Sequence, residues 1–390
     1  MNILLANQST AYLNSVRQKV GLIPLKSNRL LHQSASSHAQ YLIRHQKTGH
    51  YQKKGSKGYT GNTPSTRVRK VGYNSTIIRE NISINTHGYK ASVKNLFAAI
   101  YHRFTFLNFV SDEIGIGQYH SKNKKAVKNI YVYDLGSSTL SKLCKRRYPL
   151  SSGSYYMKDI CRDKKKMVPM HSFNKEKEAI SLKNAKVVYY PYNKEKDIWP
   201  AFYNEMPDPL PQYKVSGFPI SVQFNPAYYK KVTLKKFRLY NNKGKEIKKT
   251  KILQKKNDAN HLFTALEFAL MPLARLEFGE TYTVVFEAKA DKKTIKRKWS
   301  FSTTKSKGTY YRLAKNSQSI NVLSGSKIIL YIVPTHGKDI LRSYSCKKNI
   351  HAKFLDQNTL EIQIPKQRYS SKLNIRFSNN KRVRLNIKGR

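Results

Sequence analysis

Thr48-Gly49-His50, Arg79-Glu80-Asn81 and Tyr101-His102-Arg103 place polar side chains beside the ends of regular elements, where a fold can turn them into one cleft. Two imidazoles and the Glu80 carboxylate would make a His50, Glu80, His102 donor set, the ligand count of an open zinc site. Water bound there could be activated for hydrolysis. The same groups could instead form a buried hydrogen-bonded network, where losing one partner leaves a costly unpaired group. Asn81 and Arg103 flank the set; Arg103 could orient a ligand carboxylate or phosphate, or serve as an ion-pair partner within the fold. The chain has no His-Glu-x-x-His pattern, and His32, His38 and His45 read as solvated or core-satisfied residues near one helix.

The elements that must position these residues can be read from periodicity. Leu5, Tyr12, Leu13, Val16 and Val20 share a helical face that ends at Gly21 and Pro24. A second helix follows Ser27-Asn28 and should stop near Gly49, leaving His50 just beyond its end. Residues 52–77 read as a loop with one short helix near Thr63 to Lys70, and Glu80 lies in a β-branched, strand-like run. Tyr89 to Tyr101 predicts a helix with His102 where the pattern ends. Ile114 to His120 and Val127 to Tyr133 predict a hairpin turning at Ser121-Lys122-Asn123-Lys124-Lys125. Helices and strands without regular βαβ alternation give an α+β, α-β-α sandwich.

Further along, 138–186 reads as a basic connector holding Cys144 and Cys161, and 187–304 as a β-sandwich of short alternating strands. A smaller β domain fills 305–390. The expected division is therefore 1–137, 138–186, 187–304 and 305–390, with two β-sandwich-like domains after the α-β-α head. Cys144 and Cys161 could form a disulfide worth roughly 3 kcal/mol in an oxidising compartment, or remain two free thiols.

Charge bounds the partners. Lys and Arg number 74 against 22 Asp and Glu, a net +52 over 390 residues, which predicts anionic surroundings. The excess is spread over all four segments, as solvated surfaces would also require. No run of about 18 apolar residues occurs, so no transmembrane segment is expected. Ile3-Leu4-Leu5-Ala6 is too short for a signal-peptide core, so an exported form of this sequence would be mature or truncated.

Residues 5–135 resemble a CAP domain, the superfamily of cysteine-rich secretory, antigen 5 and pathogenesis-related class 1 proteins, in its bacterial branch. The resemblance rests on Leu13-Asn14-Ser15-Val16-Arg17 with Gly21-Leu22-Ile23-Pro24-Leu25, Gly49-His50, Glu80-Asn81-Ile82, and His102-Arg103 followed by Ile114-Gly115-Ile116-Gly117. It implies an α-β-α sandwich whose cleft is lined by two histidines and two glutamates, three of them at His50, Glu80 and His102. The chain departs from the pattern at Leu96, where the family has Trp, and at Tyr101, where Gly commonly precedes the second His. It also lacks the second Glu, because no acidic residue occurs between Glu80 and Asp112. Residues 187–304 resemble an Ig-like domain on the 217–226 stretch and Trp299-Ser300-Phe301.

The resemblance implies an extracellular or periplasmic protein that binds lipid, glycan or cell-wall polymer. Binding rather than catalysis is the expectation, with a zinc-dependent hydrolase at His50, Glu80 and His102 as the alternative. Nucleic-acid binding or nuclease activity is a further alternative, since Tyr228-Tyr229-Lys230-Lys231 interleaves aromatic and basic groups.

Overall fold

The computed structural model describes residues 3–389 except 122–125, 151, 154, 204 and 347–349. The first part is three-layered. A four-stranded sheet of order β1-β3-β4-β2 holds β1 (Lys26–Ser27), β2 (Arg79–Ile84), β3 (Glu113–His120) and β4 (Asn129–Gly136). Helices α1 (Ile3–Lys19), α4 (Tyr89–Ala98) and α5 (Ile100–Phe106) lie toward one side, α2 (Arg29–His45) and α3 (Pro64–Lys70) toward the other. The predicted turn at Ser121 to Lys125 falls mainly on residues outside those described.

Local chemistry accounts for the helix starts. Asn28 caps α2 by accepting from the amides of Leu30 and Leu31, and Thr63 caps α3 in a capping box with Thr66. The Ile-Gly-Ile-Gly run on β3 lets α2 lie directly on the sheet. A Cβ at Gly115 would stand 2.0 Å from the Leu31 backbone, and one at Gly117 2.1 Å from the Ala35 backbone.

Two differences from the periodicity matter. The helix expected over 89–101 breaks at Ala99 (ψ 117), so His102 lies inside a separate short helix, α5, rather than at a helix end. The 138–186 stretch is not featureless: α6 (Ser138–Leu143) and α7 (Met170–Ser181) lie in it, and Cys144 and Cys161 are disulfide-bonded. That bond holds the 159–162 segment where Cys161 bridges Ser75 and Ile160 accepts from Thr76, tying it to the loop before β2.

Among the described residues, the β-rich remainder contains four four-stranded sheets. In the first pair, Val187–Tyr190, Ile220–Phe224, Thr250–Gln254 and Glu267–Pro272 face Glu195–Ile198, Val232–Tyr240, Thr281–Ala290 and Lys293–Thr303 across an aromatic core of Phe224, Phe237, Phe268, Phe286 and Trp299. The second pair encloses an aliphatic core that includes Leu330, Leu360, Ile362, Ile375 and Leu385. The whole is an α+β chain, an α-β-α sandwich followed by two β-sandwich-like modules.

The α-β-α part and the first β-sandwich share one continuous core, in which Phe97 packs on Tyr190 at 4.8 Å between ring centroids. A second shared cluster joins Ile100, Tyr101 and Phe104 of α5 to Phe202, Phe263 and Met271.

Candidate functional site

The first half of the site is built inside the α-β-α sandwich. Glu80 on β2 receives a hydrogen bond from His50 Nδ1 at 2.8 Å and a salt bridge from Arg67 Nη2 on α3 at 2.5 Å. Arg67 also donates to the His50 carbonyl at 2.8 Å, so one guanidinium fixes both members of the pair. Burial alone would raise the Glu80 pKa, but the His50 hydrogen bond and the Arg67 charge prevail and lower it to about 2.

Behind this pair, Asp134 on β4 stands directly opposite Glu80 in the strand register. It is fully buried, and burial together with the Glu80 charge holds its carboxyl well above the usual range. His38 on α2 completes the shell. Its Nδ1 accepts from Gln52 Nε2 at 3.0 Å while its Nε2 donates to the Gly49 carbonyl at 3.1 Å. Burial lowers its pKa to about 4, keeping it neutral and the Gly49-His50 turn in place.

The second half is built by two parts of the chain. His102 Nδ1 on α5 donates to Glu205 Oε2 at 2.7 Å, and Glu205 belongs to the segment linking strands of the first β-sandwich. Glu205 also accepts from the amides of Tyr101 and His102. The carboxylate missing between residues 80 and 112 thus has a counterpart more than a hundred residues later. Tyr101, which stands where the family commonly has Gly, explains how. Its ring meets Phe263 edge-on and its hydroxyl donates to Asp258, so α5 is docked on the β-sandwich.

The remaining expected site residues have other places. Asn81, almost fully buried, donates to the His102 carbonyl at 2.8 Å and ties β2 to α5. Arg103 is fully buried, donating to the Phe97 carbonyl at 2.6 Å and to Ser221 Oγ at 3.1 Å, as a partner within the fold. Its guanidinium lies 5.0 Å from both the Tyr190 and Phe218 rings, fastening the sandwich to the β module.

The residues do not fit a His50, Glu80, His102 metal set. Both Glu80 oxygens are engaged by His50 and Arg67, and His102 pairs with a different carboxylate. Among the described residues no group of three or more His, Cys, Asp or Glu side chains could hold a metal ion. What the arrangement does provide is two oriented imidazoles. With Nδ1 committed to a carboxylate, the neutral ring carries its lone pair on Nε2. The His50 side chain is 38% exposed and that of His102 16%, while Glu80 and Glu205 are 1% and 2% exposed.

In the family comparison, residues 10–135 match the model of CAP, the cysteine-rich secretory protein family. Residues 10–135 form a CAP domain. An outer surface protein of Borrelia burgdorferi is similar at 19% identity, over 34% of this chain and 90% of its own, with a TM-score of 0.30. An extracellular SCP-domain protein of Bacillus anthracis is similar at 18% identity, over 34% of this chain and 40% of its own, with a TM-score of 0.29. Fibronectin(III)-like modules of a Clostridium thermocellum protein are similar at 11% identity, over 52% of this chain and 94% of theirs, at a TM-score of 0.17. No curated protein matches the chain. The CAP assignment rests on the family match.

Arg67, Asp134, His38 and Glu205 were not singled out as site residues by the sequence. The first three sit near motif residues in the fold, and only Glu205 comes from outside the CAP domain.

Proposed function

We propose that this is an extracellular or envelope-associated CAP protein that binds ligands at anionic surfaces, and that its histidine pairs bind rather than hydrolyse. One observation carries the reading: both site carboxylates are buried and committed to positioning an imidazole. Glu80 is clasped by Arg67 and His50, and Glu205 accepts from two backbone amides and His102. Neither is placed to take a proton from an attacking water, which a general base must reach within hydrogen-bond distance. The partly exposed imidazoles can accept from, or when protonated donate to, a polar ligand head. The net charge of +52 favours lipid, glycan or cell-wall polymers that bear negative charge.

Co-sedimentation with anionic vesicles and acidic polymers across a salt series, run beside calorimetric zinc titration, tests this. Expected are salt-sensitive association that weakens in His50→Ala and His102→Ala without disappearing, since the basic surfaces remain, and no zinc-dependent turnover. Zinc-dependent hydrolysis abolished by either substitution would overturn the binding reading in favour of a hydrolase.

A further inference from the structure

One sheet of the C-terminal module presents basic side chains on its outer face with no acidic residue in its described strands. That sheet is built from Ser317–Leu323, Arg382–Lys388, Ser371–Phe377 and Tyr344–Cys346. Its inward positions are aliphatic or aromatic, among them Ile320, Ile375, Phe377 and Leu385. Its outward positions hold Arg376, Arg382, Arg384, Lys372 and Lys388 among Ser and Asn side chains. The other three four-stranded sheets of the β-rich part each contain Asp or Glu in their strands, and among the described residues this one contains none. On other sheets some basic side chains have acidic partners, as Arg238 does with Glu246 at 3.3 Å and Lys327 with Glu361 at 3.7 Å. Among the described residues no carboxylate pairs with Arg376, Arg382 or Arg384.

The register sharpens this. Arg376 stands directly opposite Arg382 in the antiparallel ladder, and Arg384 lies two residues further along the same face. Like charges directly opposite each other weaken a strand pair, so this arrangement costs stability until an anion lies between the guanidiniums. Ser317 is registered beside Arg382, and Ser319 beside Arg384, which in turn is paired with Asn374. The six side chains line an open hollow of about 630 Å³. Arg384 Nε leans on Asn374 Oδ1 at 3.2 Å and Arg376 Nη2 on Asn380 Oδ1 at 3.0 Å, neutral contacts that orient the forks without neutralising them.

We infer that this face binds an acidic polysaccharide, the arginine forks taking its carboxylate or sulfate groups and the serine and asparagine side chains its hydroxyls. Resting on the anionic-surface reading above, this names the surface and the polymer class. A guanidinium fork matches a planar or tetrahedral oxyanion through paired hydrogen bonds, and a flat, pleated row of such groups suits a repeating chain. The outward positions hold no aromatic ring on which a nucleic-acid base could stack. Leu323 is their one large apolar side chain, too little to enter a bilayer.

The test uses the full chain with Arg376→Ser, Arg382→Ser and Arg384→Ser combined, against a control with Lys296→Ser, Arg297→Ser and Lys298→Ser, which removes equal charge from a different, exposed strand. Binding is measured to polygalacturonate, dextran sulfate, neutral dextran, a single-stranded oligonucleotide and phosphatidylglycerol vesicles. Expected is a loss of about thirtyfold or more for the two acidic polysaccharides in the arginine variant and less than threefold in the control. The melting temperature of the arginine variant should be unchanged or raised, because the cross-strand repulsion is gone; Arg382→Gln alone, with about a threefold or larger loss, serves if the triple variant misfolds. Equal losses in both triple variants, or a loss shared equally by oligonucleotide and vesicles, would overturn the inference while leaving the anionic-surface reading intact. A wild-type protein that binds none of the anionic probes would defeat both.

Discussion

The two histidine pairs solve the same geometric problem in different ways. His50 and Glu80 are fixed by neighbours within the CAP domain: Arg67 on α3, His38 on α2 and Asp134 across the sheet. His102 is fixed by Glu205, a residue of the β-rich part, on a helix whose Tyr101 is docked onto that same part through Asp258 and Phe263. The first half of the site is self-contained. The second exists only with the β-sandwich in place, so this CAP domain and the sandwich behind it are joined structurally at the His102–Glu205 pair.

The sharpest break in that comparison is expected at Glu80. Glu80→Gln leaves the Arg67 guanidinium, itself fully buried, without its anion, and removing one partner of a buried pair costs about 3–5 kcal/mol. Asp134→Asn, one strand away, should cost clearly less than Glu80→Gln, because burial and the Glu80 charge already disfavour the charged form of the carboxyl it replaces. Urea unfolding of the two variants measures the contrast. Equal costs would contradict a pair whose charge is carried mainly by Glu80.

A smaller, pH-dependent difference separates the CAP interior from its junction with the β-sandwich. The Glu80 pKa is depressed to about 2, so its contribution is present above the unfolded value near 4.5 and fades as pH falls toward 2. Glu195, at the junction, has the opposite sign. Burial raises its pKa to about 7 although Tyr190 and the Tyr192 amide donate to it, so its contribution is full below about 4.5 and is lost as pH rises through 7. Against Glu195→Gln, the wild type should lose on the order of 1–3 kcal/mol between pH 5 and pH 8, read from melting curves across that range. A pH-independent difference between the two proteins would show that Glu195 is not held protonated by the junction.

The same division decided what the sequence could reveal. Glu80 was legible because β-branched neighbours announce a strand, and His50 because a helix pattern stops just before it. The α-β-α head and the two β modules followed from the change of hydrophobic period. Arg67 was hidden in Pro64–Lys70, a short basic stretch that reads as a solvated helix face, and Asp134 in a strand with little alternation because it is covered on both sides. The break at Ala99 left no mark, since Ala98-Ala99-Ile100 suits a continuous helix and only docking on the sandwich bends it. Helix α7 was missed because Phe173 and Ile180 are its main apolar anchors, two turns apart among lysines and glutamates. Glu205 lies in an irregular stretch, with nothing in its local pattern to point back to His102; the one clue was the absence of a carboxylate where the CAP pattern calls for it.

The most direct measurement of the central claim is a double-mutant cycle between His102 and Glu205, with His102→Ala, Glu205→Ala and the double variant compared by urea unfolding. If the β-sandwich completes the second half of the site, the cycle should return a coupling of about 1.5–3 kcal/mol, as expected for a hydrogen bond to a charged group. A coupling within about 0.3 kcal/mol of zero, with the single-variant costs simply adding, would contradict it and return His102 to the CAP domain alone.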